Sequence, residues 1–101
     1  MTLQFVITAY DAEHTHELRA KHRDEHRARL RASTGSPVKV LAAGPLLNHA
    51  DEPIGSLIIV EADSHTDVGR FVAADPYVIN GVYGRHEIVG FKWTMGAPGP
   101  L

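Results

Sequence analysis

Four runs of β-branched and aromatic residues, separated by only two stretches able to coil, leave this chain few folds to choose from. Leu3 to Tyr10 (LQFVITAY) carries no helix punctuation and reads as a strand. Ala12 to Ala32 has no Gly or Pro and is rich in Glu, Arg, Lys and Ala, so it reads as a helix that Gly35 and Pro37 stop. Val38 to Leu47 is a second strand, irregular at Gly44-Pro45, and His49 to Pro53 is a turn. Ile54 to Ala62 (IGSLIIVEA) is the clearest strand in the chain. Ser64 opens a second helix, with Asp67 as its capping-box partner and Val68, Phe71 and Val72 as its apolar stripe. Asp75-Pro76 ends that helix, because the residue before a proline is pushed out of the helical region. Val82 to Thr94 is the last strand.

The order β-α-β-β-α-β predicts an α+β, ferredoxin-like fold: a four-stranded antiparallel sheet with two helices on one face. The other face of such a sheet should alternate towards polar residues if it met water. Here Phe5, Val6 and Ile7 are consecutive, as are Leu57, Ile58, Ile59 and Val60. Both faces therefore call for cover, and two helices supply only one. A second copy of the sheet is the economical cover, which makes the expected partner the chain itself, as a homodimer or a higher assembly. At 101 residues the chain is the size of one domain, read as residues 1–95 followed by a flexible tail over 96–101.

Composition narrows the chemistry. With no cysteine, disulfide frameworks, thiolate metal sites and cysteine nucleophiles are excluded. A net charge of −2 argues against nucleic acid or an anionic membrane as the main partner. The longest run free of Asp, Glu, Lys and Arg, Val40 to Ala50, is far short of the roughly 20 apolar residues that a bilayer span requires. The N-terminus has no basic segment followed by an apolar core, so a cytoplasmic domain without a signal peptide is expected.

The first helix is the anomaly. Between Ala12 and Ala32 the only large apolar residues are Leu18 and Leu30, where a docking helix ordinarily shows three or four per two turns. Leu18, His22, His26 and Leu30 follow one another at i+4, so the side facing the sheet must include His26, with His22 or Arg23 beside it. An inward polar group needs a partner or a ligand. Asp75 is the second intruder, at i+7 from Val68 and i+3 from Val72 on an apolar stripe. It falls at the C-terminal end of its helix, where the macrodipole disfavours negative charge. A histidine would compensate it, and the carboxylate would in turn orient the imidazole; a plain cap before Pro76 is the competing reading. His22 to His26 also fits H-x-x-E-H, a zinc-protease pattern, but the ligand set is incomplete and no metal is assigned. His14 and His16 read as solvated, and His49, His65 and His86 have no motif support.

Five short pieces in order now resemble the YciI-like, or YCII-related, family: Arg23-x-x-His26 with Leu30, Ala43-Gly44-Pro45-Leu46, Gly55-Ser56-Leu57, Ala74-Asp75-Pro76-Tyr77 and Gly81-Val82-Tyr83. One departure is Arg27, where relatives usually carry leucine. The resemblance implies a dimeric α+β barrel of ferredoxin-like protomers, with His26 and Asp75 as an active-site dyad. It further implies Arg23 as the holder of an anionic group, Gly44 and Pro45 as pocket wall, Ser56 as a hydroxyl donor, and Tyr77 as a ligand contact. Chemistry in that family includes removal of hydrogen chloride from a chlorinated hydroxyhydroquinone, and the wider superfamily adds isomerases, monooxygenases and haem proteins. Three functions compete. A lyase or isomerase needing no cofactor would act on a small acidic aromatic or cyclic substrate. A non-catalytic binding or accessory protein would use the same pocket, and a haem or metal protein is the third.

Overall fold

The computed structural model describes residues 2–33 and 36–96. Its elements run β1 (Leu3–Asp11), α1 (His16–Arg31), β2 (Val38–Leu47), β3 (Pro53–Ala62), α2 (His65–Ala73), α3 (Pro76–Ile79) and β4 (Tyr83–Phe91). The strands form one antiparallel sheet in the order β2-β3-β1-β4, the ferredoxin-like arrangement that the element order predicts. The tail expected over residues 96–101 lies outside the described residues beyond Gly96, as does Gly35 of the expected helix stop. Among the described residues no helix is long and apolar enough to cross a membrane.

Period-two alternation sorts the sheet into two faces. Phe5, Ile7 and Ala9 of β1 are buried, as are Ser56, Ile58, Val60 and Ala62 of β3, and the register sets Phe5 against Val60 and Ile7 against Ile58. Val68, Phe71 and Val72 of α2 pack onto this face, joined by Val38 and by half-buried Leu30. Ser64 caps α2 as its sequence suggests, its hydroxyl accepting from the Asp67 N–H. On the opposite face an apolar row, Ala42–Ile59–Val6–Val89, crosses all four strands, and Val89 is 48% exposed. Among the described residues no helix covers this row. Gly44-Pro45 does not break β2; as an edge strand, β2 tolerates the missing proline N–H.

The last strand, expected over Val82 to Thr94, runs Tyr83–Phe91, and two helix boundaries differ from the sequence reading, each for a local reason. The first helix starts at His16, four residues later than expected. The Ala12 N–H is tied to the Val82 carbonyl, and His14 sits at φ 61°, so this segment turns the corner from β1 instead of coiling. The second helix stops at Ala73, and Pro76 then opens a separate single turn, α3. Asp75 thus caps the start of α3 rather than occupying the end of α2, with the extended backbone (φ −67°, ψ 132°) that a following proline enforces. The unfavourable dipole placement expected of Asp75 is thereby corrected: its carboxylate accepts from the Tyr77 N–H at 2.8 Å.

Candidate active site

Helix α1 turns polar side chains inward. Arg19 and His26 are its two buried residues, at 6% exposure each, with Leu18, His22, Arg29 and Leu30 half-buried around them. The spacing i, i+7 returns almost to the same side of a helix after two turns, so Arg19 and His26 share one line. Arg23, one turn before His26, is exposed at the cavity rim.

His26 and Asp75 meet. The ring Nδ1 lies 2.8 Å from Asp75 Oδ1 and 3.0 Å from Oδ2, in a pair whose side chains are 7% and 3% exposed. The carboxylate offers no hydrogen of its own and already accepts from the Tyr77 N–H, so Nδ1 donates to it and Nε2 is left as the acceptor of the neutral ring. Tyr77 fixes the plane of the imidazole: the two rings stack at 4.0 Å and 11°. Tyr83 closes the back, edge-on to His26 at 6.3 Å and to Tyr77 at 5.4 Å. Asp75 and Tyr77 arrive two residues apart on one short turn, so a single capped helix positions both supports of the histidine.

A cavity of about 380 Å³ opens on His26, within the size range of small-molecule sites. Of the residues that the family resemblance implies for ligand contact, Arg23, Gly44, Pro45, Ser56 and Tyr77 all line it, while Asp75 stands behind the histidine. Ser56 is already engaged, since its hydroxyl accepts from Arg19 Nη2 at 3.1 Å. Arg27 also lines the cavity. Neither Arg23 nor Arg27 is ion-paired among the described residues, so the cavity carries uncompensated positive charge and favours anions.

Arg19 and Asp11 are residues that the sequence reasoning missed. Arg19 Nη1 donates to both Asp11 oxygens, at 2.7 and 2.9 Å, and Nη2 donates to the Gly55 carbonyl at 2.9 Å. Its guanidinium also lies 4.8 Å from the centre of the Tyr77 ring. Burial pushes the Asp11 carboxyl above its ordinary range, and Arg19 works against that rise. The signal was present for both. Asp11 continues the inward series Phe5, Ile7, Ala9, and Arg19 lies two turns from His26. Gly55 is required where it stands, because a Cβ there would run into the Ala9 carbonyl of the neighbouring strand.

The H-x-x-E-H pattern is divided between two neighbours: His22 pairs with Glu25 at 3.1 Å, and His26 turns to Asp75. Among the described residues no three His, Asp or Glu side chains gather at metal-binding distance. His14, His16, His49, His65 and His86 are exposed.

Tyr83 gives the site a pH signature. Its hydroxyl is sealed from solvent, and burial drives its ionisation well above the usual range, with Ser56 beside it working against that rise. Above about pH 10 the unfolded chain releases this proton and the folded one retains it, so stability falls by up to about 1.4 kcal/mol per pH unit. Urea midpoints at neutral and alkaline pH should therefore fall less steeply for Tyr83→Phe than for the unmodified chain. Parallel curves would place the loss elsewhere.

The YCII-related domain family matches residues 3–92. No curated protein sequence matches the chain. Among solved structures, a 5-chloro-2-hydroxyhydroquinone dehydrochlorinase, TftG from Burkholderia phenoliruptrix AC1100, in complex with 2,5-dihydroxybenzoquinone, is similar with a TM-score of 0.76 and 25% identity. That match covers 93% of this chain and 96% of the dehydrochlorinase. A dimeric protein of unknown function with a ferredoxin-like fold from Bacteroides fragilis NCTC 9343 follows at TM-score 0.57 and 14% identity, covering 91% of this chain and 96% of that one. A monooxygenase-like protein of antibiotic biosynthesis from Nitrosomonas europaea shares the fold at TM-score 0.54 and 11% identity, over 95% and 93% of the two chains. The match across nearly all of β1 to β4 agrees with the five short motifs, and this chain belongs to the YCII-related domain family.

Proposed function

We propose that this chain is a lyase or isomerase, needing no cofactor, that acts on a small acidic aromatic or cyclic substrate through general acid–base chemistry at His26. The observation that carries the reading is the 2.8 Å contact of Asp75 with Nδ1, which leaves Nε2 as the free nitrogen of a ring that lines the cavity. His26 Nε2 takes a proton from the substrate, Asp75 steadies the imidazolium that forms, and Arg23 holds an anionic oxygen of the substrate. Loss of a proton together with an anionic leaving group, or movement of a proton between two carbons, is redox-neutral, so one well-placed base is adequate chemistry. The likeness to a dehydrochlorinase at 25% identity supports the elimination branch.

Turnover should appear when the purified protein is offered chlorinated hydroxyquinols and cyclic lactones, without any added cofactor. Equal rates from His26→Ala would remove the histidine from the mechanism. Thermal stabilisation by the same compounds with none consumed would favour the binding or accessory reading instead.

The working unit in this proposal is a homodimer. The uncovered row Ala42–Ile59–Val6–Val89 supports it, because it is the kind of apolar patch that a second sheet buries. A solution mass of two chains is expected by light scattering, and a mass of one chain would set the dimer aside.

A further inference from the structure

Four arginines stand on α1 in steps of four: Arg19, Arg23, Arg27 and Arg31. Each step advances about 6 Å and turns about 40°, so the guanidinium groups form a slowly winding ladder along the helix. The first rung is neutralised by Asp11. The other three are exposed and make no ion pair among the described residues. Asp24, the acidic residue one turn before Arg27, pairs with none of them.

The ladder follows a continuous cleft. Beside the cavity at His26 lies a second groove of about 400 Å³, between α1 and β2. The two share Arg27, Leu30 and Ala43, and the groove adds Arg31, Val40 and Leu41 to the lining. A compact ring acid held at His26 by Arg23 leaves the groove empty and Arg27 and Arg31 uncompensated.

From this arrangement we infer that the acidic ring at His26 is one end of a longer ligand. An acidic ring sits at His26, a short apolar connector lies over Leu30 and Val40, and a second anionic group, carboxylate or phosphate, reaches Arg27 and Arg31. Arg27 is the specificity-determining residue, since it borders both compartments. This inference rests on the reading of the His26 cavity as the substrate site, and it adds the length and charge of the substrate.

Three probes separate the contributions: benzoate, 4-butylbenzoate and 4-(3-carboxypropyl)benzoate, titrated calorimetrically at low ionic strength. The dicarboxylate is expected to bind at least about fivefold more tightly than the butyl compound, the scale of a single solvent-accessible charge contact. Arg27→Gln should cost the dicarboxylate about fivefold more than it costs benzoate. Arg27→Lys should restore part of that difference, and added salt should shrink it. Melting curves of both variants should overlay that of the parent, since Arg27 is exposed. If benzoate binds but the unmodified protein shows no preference for the dicarboxylate, or if Arg27→Gln leaves the preference intact, the extended ligand is overturned while the cavity reading stands. If none of the three binds at millimolar concentration, both are overturned.

Discussion

Exchanging Asp75 for asparagine should slow turnover by up to about 10²–10⁴-fold, the whole contribution of the general acid–base group that it supports. The reasoning rests on two hydrogen bonds. Asp75 Oδ1 accepts from the Tyr77 N–H at 2.8 Å, and an amide in its place must keep its oxygen there to serve that donor. The amide nitrogen then takes the position of Oδ2, 3.0 Å from His26 Nδ1, and competes as a donor with the oxygen that stays 2.8 Å away, while the negative charge that steadies an imidazolium is gone. Where the amide nitrogen donates, the ring hydrogen moves to Nε2, which is then a donor and no longer a base. His26→Ala should reduce the rate by about 10²–10⁴-fold, the ordinary contribution of one general acid–base group. The comparison discriminates between roles. An asparagine variant that works as well as the parent shows that Asp75 supports only α3; one as slow as His26→Ala, but with unchanged melting, shows that it acts through the imidazole. Two-dimensional ¹⁵N spectra of the histidine ring report the tautomer directly.

The second large effect concerns stability. Arg19→Ala should cost about 3–5 kcal/mol, because it leaves the Asp11 carboxylate, 10% exposed, without its partner. For a domain of this size that lowers the melting temperature by roughly 12 °C or more. The loss depends on pH in a defined direction. Burial already raises the Asp11 pKa, and without Arg19 nothing of comparable strength opposes the rise. A carboxyl with a raised folded-state pKa is at no disadvantage below its unfolded value, near 4, and destabilises increasingly as pH climbs through the folded value. Arg19→Ala should therefore lie closest to the parent in acid and furthest from it at neutral pH. Combining Arg19→Met with Asp11→Leu should recover much of the loss, since an apolar pair needs no compensation. A uniform deficit at every pH would locate the effect in packing rather than in the stranded charge.

Much of the architecture was written plainly in the chain, because strand patterning is a local property. The runs at Leu3, Val38 and Ile54, and the stripe Val68-Phe71-Val72, could each be read from their own residues. The start of α1 could not, because it depends on a bond from Ala12 to Val82, seventy residues away. Asp75 stands out in the sequence because the apolar stripe of α2, continued across Ala74, takes it in, whereas the proline after it starts a new helix and makes it a cap. His26 stood out because the helix lacked apolar residues. Arg19 did not, because an arginine in a charged helix gives no sign of being buried until its partner on the strand is known. Arg27 and Arg31 belong to a cleft formed jointly by α1 and β2, and a one-dimensional reading has no means of seeing a cleft.

The four residues of α3 carry an implication for how the site is lost. The amide of Tyr77 and the ring of His26 share one acceptor, and the ring of Tyr77 is the surface on which the imidazole rests. Fraying of this single turn would release cap, clamp and base together, in one cooperative opening. Hydrogen exchange at the Tyr77 amide would then track the fraction of molecules with an idle histidine, and a ligand pressing on that ring would slow the exchange. The short turn is thus a gauge of whether the pocket is armed.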